Sequence, residues 1–218
     1  MSWVKWGLVA LIAMASLALL VLLGVAWIEA RQARQNQALM QAPCEQASTT
    51  SRAAVIYYSR SGNTALAARH VACLLGASLI ALEAPEYSLG LLGLSHALRD
   101  AREQQAQITP VDIDLSGFDT LYLGSPVWLY SPAPPIWAFV ANHRLDGKRV
   151  VLFNKYNSHF APEYIAALLA KVLAQGAVGF EHRHVLRGRM TRQLTSEQML
   201  QRIDQDWFSN TPPATSRH

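Results

Sequence analysis

The sequence lacks the motifs of several common ligand sites. It has no GxxxxGK phosphate loop, no G-x-G-x-x-G of dinucleotide-binding folds and no G-x-S-x-G turn of serine hydrolases. Its 19 lysines and arginines form no run, and the formal net charge is only +4. Nucleic-acid binding normally requires a clustered basic face, so we expect no nucleic-acid partner.

Cysteine is also scarce, with Cys44 and Cys73 alone and no CxxC. Cys44 falls in a polar linker and Cys73 within a helical pattern, so we expect neither a metal site nor a disulfide framework. His182 and His184 form an H-x-H pair without a convincing third ligand, which favours an exposed strand face over a metal centre. No residue set resembles a hydrolytic triad, and we expect no catalytic side chain.

A long apolar run lies near the N-terminus. Residues 7–26 carry no charge, and as a helix they would span about 30 Å, the thickness of a bilayer's hydrocarbon core. Trp3, Trp6 and Trp27 flank the run, where indole rings favour the membrane–water interface. The alternative is a signal peptide cleaved at the small residues 24–26, but secretory cores are typically about 7–15 residues long. We therefore expect an uncleaved transmembrane anchor.

The orientation of this anchor is nearly balanced under the positive-inside rule. Lys5 and the amino terminus lie on one side of the run, and Arg31 and Arg34 lie close to it on the other. The small excess of lysine and arginine on the C-terminal side slightly favours a cytoplasmic position for the C-terminal part of the chain.

The chain divides into an anchor (1–28), a polar stalk (29–52), a folded domain (53–208) and a tail that we expect to be disordered (209–218). The stalk could continue the anchor helix as far as Pro43. Within the domain, the predicted strands are 53–59, 78–83, 119–126, 149–154 and 178–186. They alternate with predicted helices at 63–76, 95–105, 136–142, 162–175 and 196–208. This alternation predicts an α/β fold, a parallel sheet with helices on both faces.

Ligands in such sheets bind beyond the carboxyl ends of the strands. After the first strand come three hydroxyl residues, Ser59, Ser61 and Thr64, with Gly62 and Asn63 between them. The hydroxyls can donate hydrogen bonds, Gly62 permits a tight turn, and the first amides of the next helix point outward. These features indicate a phosphate site at a helix N-terminus. The alternative is a simple strand-to-helix turn with a cap.

After the third strand, the segment GSPVWLYSP places Trp128 and Tyr130 between prolines. Aromatic faces stack on flat conjugated rings, and offset stacking adds about 0.5–1.5 kcal/mol beyond area burial. Alternatively, Trp128 belongs to the core or to an interface.

The stretches VIYYSRSGNT, FDTLYLGSPVWLYSPAPPIWAFV and LDGKRVVLF, in this order, resemble the flavodoxin family over residues 53–207. The likeness is closest to bacterial members with an SRTGNT-type loop and a G-x-P-x-W motif. It implies a doubly wound five-stranded parallel sheet of order 2-1-3-4-5 that binds FMN without a covalent bond. Hydroxyls and amides rather than cations would hold the phosphate, and Arg60 would face solvent. By position, the resemblance assigns the phosphate to Ser59, Ser61, Gly62, Asn63 and Thr64, and the isoalloxazine to Pro126, Val127 and Trp128.

The third loop, NKYNSHF at 154–160, departs from the family pattern. Relatives usually have a T-x-G-G segment there, whose amides approach the pyrimidine edge of the flavin. We expect Tyr156 to form a second aromatic wall and Asn157 to bind the ring edge, and we include Asn154 in the predicted site. The alternative is that this loop fills a pocket that has lost its flavin.

Together, the apolar run and the resemblance indicate an FMN protein that transfers electrons and is anchored in a bacterial inner membrane. It would be either a carrier for a redox partner protein or a small oxidoreductase that passes electrons from NAD(P)H to a quinone. Ordinary flavodoxins are acidic and this chain is basic, which weakens the carrier hypothesis. FMN is made in the cytoplasm, which favours that side of the membrane. The alternative from another class is a flavin-free scaffold or protein-interaction module.

Overall fold

The domain is built on a sheet of six strands in a computed structural model that describes residues 2–41, 51–188 and 193–208. The strands are β1 (Ala53–Tyr58), β2 (Ser78–Leu82), β3 (Thr120–Trp128), β4 (Ser131–Pro132), β5 (Arg149–Tyr156) and β6 (Gly179–Leu186). The helices are α1 (Ser2–Met40), α2 (Asn63–Leu75), α3 (Leu91–Asp100), α4 (Pro134–Asn142), α5 (Pro162–Ala174) and α6 (Ser196–Ile203). A 3-10 turn (Pro85–Tyr87) follows β2, and a π turn (Asp204–Phe208) extends α6.

Five of these strands are parallel, in the order β2-β1-β3-β5-β6. Counted among the parallel strands alone, this is the predicted order 2-1-3-4-5, so the doubly wound α/β fold is confirmed. The difference is β4, a two-residue strand that pairs antiparallel with the end of β3. A pair of residues carries no periodicity, and the sequence therefore gives no signal for it.

The sheet separates two apolar cores. One face packs against α4 and α5, with Ile56, Leu123 and Leu152 at its centre. The other packs against α2 and α6, with Val55 and Phe153 among its members. Strands covered on both faces must be apolar throughout, which explains why β1 reads as a continuous apolar run.

The main displaced element is α3, which begins four residues earlier than predicted and ends at Asp100. The backbone amides of Glu103 and Gln104 both donate to the Asp100 carbonyl, so the chain turns there instead of continuing as a helix. Strands β3 and β5 each end two residues later than predicted, because both pair along these extra residues with neighbouring strands.

The apolar run and the start of the stalk form one continuous helix, α1, of 39 residues. One candidate membrane span, Lys5–Gln37, occurs among the described residues, and a signal sequence would satisfy the same criteria of length and hydropathy. Its apolar side chains between Trp6 and Leu23 are exposed, whereas Asn36 near its C-terminal end is buried against the domain. The prediction that the stalk begins by continuing this helix is confirmed as far as Met40.

Cys73, in α2, is disulfide-bonded, and the expectation that no disulfide forms is therefore wrong. The spacing of two cysteines in sequence says little about their distance in a fold, and for this reason the sequence did not reveal the bond. Cys44, the other cysteine of the chain, lies outside the described residues. Pro43 and the predicted disordered tail, 209–218, also lie outside them.

Candidate functional site

A pocket of about 290 Å³ opens at the carboxyl ends of β1, β3 and β5. Its size is near the lower end of the range for small-molecule sites. The pocket brings together predicted residues from all three loops: Ser59, Ser61, Asn63, Thr64, Pro126, Val127, Trp128, Tyr156 and Asn157. Helix α3 and Leu129 close one side, and Arg60 and Lys155 also line it.

The loop after β1 leads into helix α2, whose N-terminus is not capped by a side chain. Gly62 is the N-cap of α2, with φ 80°, and no side chain caps the helix. The first amides of an α-helix have no acceptor within the helix, and a φ in the left-handed region favours glycine. The side chains of Ser59 and Thr64 make no hydrogen bond with other described residues. The loop therefore presents free amide and hydroxyl donors to the pocket, as an anion site requires.

Asn63 belongs to a network of amides rather than to the free donors. Its Nδ2 donates to Ser61 Oγ at 3.1 Å, and its Oδ1 accepts from Asn36 Nδ2 at 2.7 Å. Asn36 also donates to the Ser61 carbonyl at 3.2 Å and accepts from Ser196 Oγ at 2.9 Å. The end of α1 thus fixes the shape of the loop from behind. Sequence reasoning missed Asn36, which carries no motif of its own.

Trp128 lines the pocket from the end of β3 and is held edge-to-face by two tyrosines. Its ring centroid lies 5.6 Å from that of Tyr58 and 5.3 Å from that of Tyr87, at interplanar angles of 90° and 87°. The β3–β4 turn follows directly, with Leu129 and Tyr130 at positive φ. Trp128 is only partly buried, so it is an aromatic surface of the pocket with a fixed orientation.

The predicted third loop begins later than expected, because β5 continues to Tyr156. Successive strand residues point to opposite faces. Asn154 is fully buried and donates to the Ser125 carbonyl at 3.1 Å, with its Oδ1 2.8 Å from His182 Nε2. It does not line the pocket, so the geometry gives no support to its assignment as a cofactor-binding residue. Lys155, for which no role was predicted, lines the pocket instead.

Two buried cations lie near this part of the pocket. Lys155 is 9% exposed and Arg187 is 5% exposed. Burial, and secondarily Arg187, lowers the pKa of the Lys155 ammonium to about 7. Burial also lowers the pKa of Arg187. Arg187 Nη1 has no hydrogen-bond partner among the described residues, and Nε reaches the Leu194 carbonyl only at 3.5 Å.

Arg60 does not point into solvent as expected. Its Nη2 donates to the carbonyls of Gly90 at 2.9 Å and Ser88 at 3.4 Å, which links the loop to the start of α3. These two carbonyls lie about 30 residues further along the chain. The position of the guanidinium therefore depends on a long-range contact that the sequence around Arg60 does not reveal.

The two histidines of β6 are tied to aromatic and amide partners. Their ring centroids are 5.4 Å apart, and Phe160 packs against both. Burial, and secondarily His184, lowers the pKa of His182 to about 4, so His182 is neutral near pH 7. No group of three metal-ligating side chains occurs in the described ranges.

Comparison with known proteins identifies the family and similar structures. The profile of the family described as Flavodoxin matches residues 52–197. A candidate flavoprotein from Bacteroides uniformis has a structure similar to this one, with TM-score 0.54, 19% identity and coverage of 72% of this chain and 99% of that chain. A flavoprotein from Lactobacillus acidophilus, solved in complex with FMN, aligns with TM-score 0.48, 18% identity and coverage of 62% and 93%. No curated protein matches the chain.

Proposed function

Because the chain belongs to the flavodoxin family, we propose that it is an FMN-binding electron-transfer protein anchored in a membrane by α1. The single observation that carries this proposal is the pocket, which joins an uncapped helix N-terminus and free hydroxyls to an aromatic surface. These groups match the two ends of FMN, a phosphate and a flat conjugated ring. When bound, FMN supplies one- and two-electron chemistry, and the protein supplies binding, orientation and electrostatic tuning.

Each predicted residue has a specific task in this proposal. The α2 amides and the hydroxyls of Ser59 and Thr64 donate hydrogen bonds to the phosphate. Trp128, held by its two tyrosines, stacks on the ring. Tyr156 and Asn157, which follow Lys155 at the pocket, contact the far edge of the ring.

Apolar surface near the pocket favours a quinone as the electron acceptor. Leu98 and Leu129 line the pocket and remain 46% and 38% exposed. Helix α1 rises about 14 Å from Trp27 to Asn36, so the anchor would hold the phosphate loop close to the membrane surface. A lipid-soluble acceptor could then reach the site. A protein partner remains the alternative acceptor, and NAD(P)H is the proposed donor if the protein is an oxidoreductase.

A flavin-free scaffold is the second candidate, and one observation favours it. The Lys155 side chain lines the pocket, and β5 continues without glycine into the segment that would approach the ring. If the space is closed in solution, the fold would serve only to present a surface at the membrane.

The proposal is tested by titrating FMN into the full chain, purified in detergent and stripped of flavin, while flavin fluorescence is followed. We expect stoichiometric quenching in the wild type, with an increase of at least tenfold in Kd for Trp128→Ala and for Thr64→Val. Trp128→Phe, which keeps an aromatic face, and Thr120→Val, which lies outside the pocket, are the matched controls. Folded protein that binds no FMN would favour the scaffold. If FMN binds, NAD(P)H-dependent quinone reduction then separates an oxidoreductase from a carrier.

A further inference from the structure

Lys155 is buried next to the loop after β1, residues 59–64, and the alternation of side chains along β5 places it there. On the same face, the Phe153 ring lies across Gly124 of β3 towards Tyr57 of β1, since a Cβ built on Gly124 would be 2.5 Å from Phe153 Cζ. Alternate residues of a strand share a face. Lys155 therefore lies on the face of α2, and it lines the same pocket as Ser61 and Thr64.

This cation has no partner within the described part of the chain. No hydrogen bond or ion pair joins Lys155 to another described residue. The nearest charged neighbour that acts on it is a second cation, Arg187, whose Nη1 also has no hydrogen-bond partner there. Buried charges are normally paired. An anion in the pocket would supply the missing partner, and the free donors at the α2 N-terminus require the same ligand.

We propose that Lys155 holds the phosphate monoester of the ligand together with the N-terminus of α2, and thereby makes the site selective for phosphorylated flavin. The inference rests on the proposed FMN function. It differs from what the family resemblance implies, namely a phosphate held by hydroxyls and amides without a cation. Arg187, whose charge acts on Lys155, strengthens the positive potential at the site.

A dependence on pH follows, because Lys155 must be protonated to pair with the anion. Its pKa is about 7 in the free protein, and a bound phosphate raises it. Above pH 7, binding therefore requires proton uptake, and affinity falls as the pH rises. The other charged or titratable groups around Lys155 are Arg187, Arg60 and Tyr156. Helix α1 contributes the uncharged amides of Gln32 and Asn36 to the loop, and α6 with its π turn places Arg202 and Asp206 around Arg187.

The experiment compares FMN with riboflavin, which lacks the phosphate, on the full chain in detergent. Lys155→Met removes the charge and keeps the length of the side chain, and Lys155→Arg keeps a cation. Lys171→Met, in the last turn of α5 and away from the pocket, is the control. Circular dichroism and Tm check folding. Lys155→Met should fold, since it removes a buried and unpaired charge.

We expect Lys155→Met to raise the Kd for FMN at least tenfold and that for riboflavin less than twofold, with Lys155→Arg intermediate. Between pH 7.5 and 9, the wild-type Kd for FMN should rise severalfold, whereas that of Lys155→Met should not. Equal changes for both flavins, or no change for either, would overturn the proposal.

A wild type that binds neither flavin would overturn the proposed function, and inorganic phosphate then tests the anion site by itself. A rise in Tm with phosphate, beyond that given by equal chloride and abolished in Lys155→Met, would support the site. No rise, or a rise shared by both proteins, would overturn it.

Discussion

At the residue scale, Gly124 shows how tightly the sheet is packed below the pocket. A Cβ at this position would lie 2.5 Å from Phe153 Cζ and 2.9 Å from Tyr57 Cβ. The Phe153 ring can lie over β3 only because Gly124 has no side chain. Gly124, within β3, is therefore required for close packing.

Gly124→Ala is expected to lower the free energy of unfolding by about 1–3 kcal/mol, the usual cost of overpacking a core. Gly117→Ala is the matched control, because a Cβ there has no atom within 4 Å. Urea unfolding of both variants, followed by circular dichroism, gives the difference. Equal stability of the two variants would mean that Phe153 moves aside at no cost.

At the element scale, α1 is more than an apolar helix that precedes the domain. Its C-terminal end reaches the phosphate loop through Asn36, and its Gln32 Nε2 donates to Gln193 Oε1 at 2.9 Å. Buried amides whose partners are removed leave unsatisfied groups, at a cost of about 1–3 kcal/mol. The C-terminal end of α1 and the loop after β1 thus form one structural unit.

Asn36→Ala is expected to weaken FMN binding by about fivefold to fiftyfold, because Asn63 and the Ser61 carbonyl lose the donor that fixes the loop. Gln37→Ala, one residue along on an exposed position, should leave the affinity unchanged. Fluorescence titration of the full chain measures both. An Asn36→Ala variant with wild-type affinity would show that the loop keeps its shape without α1.

At the scale of the whole molecule, the disulfide on Cys73 bears on the compartment that the domain occupies. Disulfides persist in oxidising compartments and are rare in the cytosol. If α1 anchors the domain in a membrane as proposed, the bond favours the non-cytoplasmic side, in contrast to the slight cytoplasmic preference predicted from Lys5, Arg31 and Arg34. The charge balance is nearly even and therefore decides less than the disulfide. On the non-cytoplasmic side NAD(P)H would not be available, so that location favours the proposed carrier over the NAD(P)H-dependent oxidoreductase.

Accordingly, a C-terminal alkaline phosphatase fusion to the full chain should be active in cells, and a C-terminal green fluorescent protein fusion should be dark. Protein extracted under alkylating conditions should react with a maleimide only after reduction, and Cys73→Ser serves as the control. Free thiols in such extracts, together with a fluorescent fusion, would instead place the domain in the cytoplasm.

The sequence by itself determined the elements whose signals are local. The alternation of apolar strands and helices, the turn at Gly62 and the aromatic segment at Trp128 all follow from neighbouring residues, and the structure has the parallel sheet in the predicted order. The hydroxyls of the first loop and Trp128 meet in one pocket because both follow parallel strands that end at the same edge.

Only the tertiary structure decided which side chains complete that pocket. Asn154 and Lys155 are neighbours in sequence and both are buried, but successive residues of β5 point to opposite faces, and only Lys155 lines the pocket. Asn36 reaches the loop from an element far away in sequence, and the disulfide on Cys73 is likewise not signalled by the residues around it. Strand parity and long-range contacts depend on how the elements pack together, and no local pattern in the sequence encodes that packing.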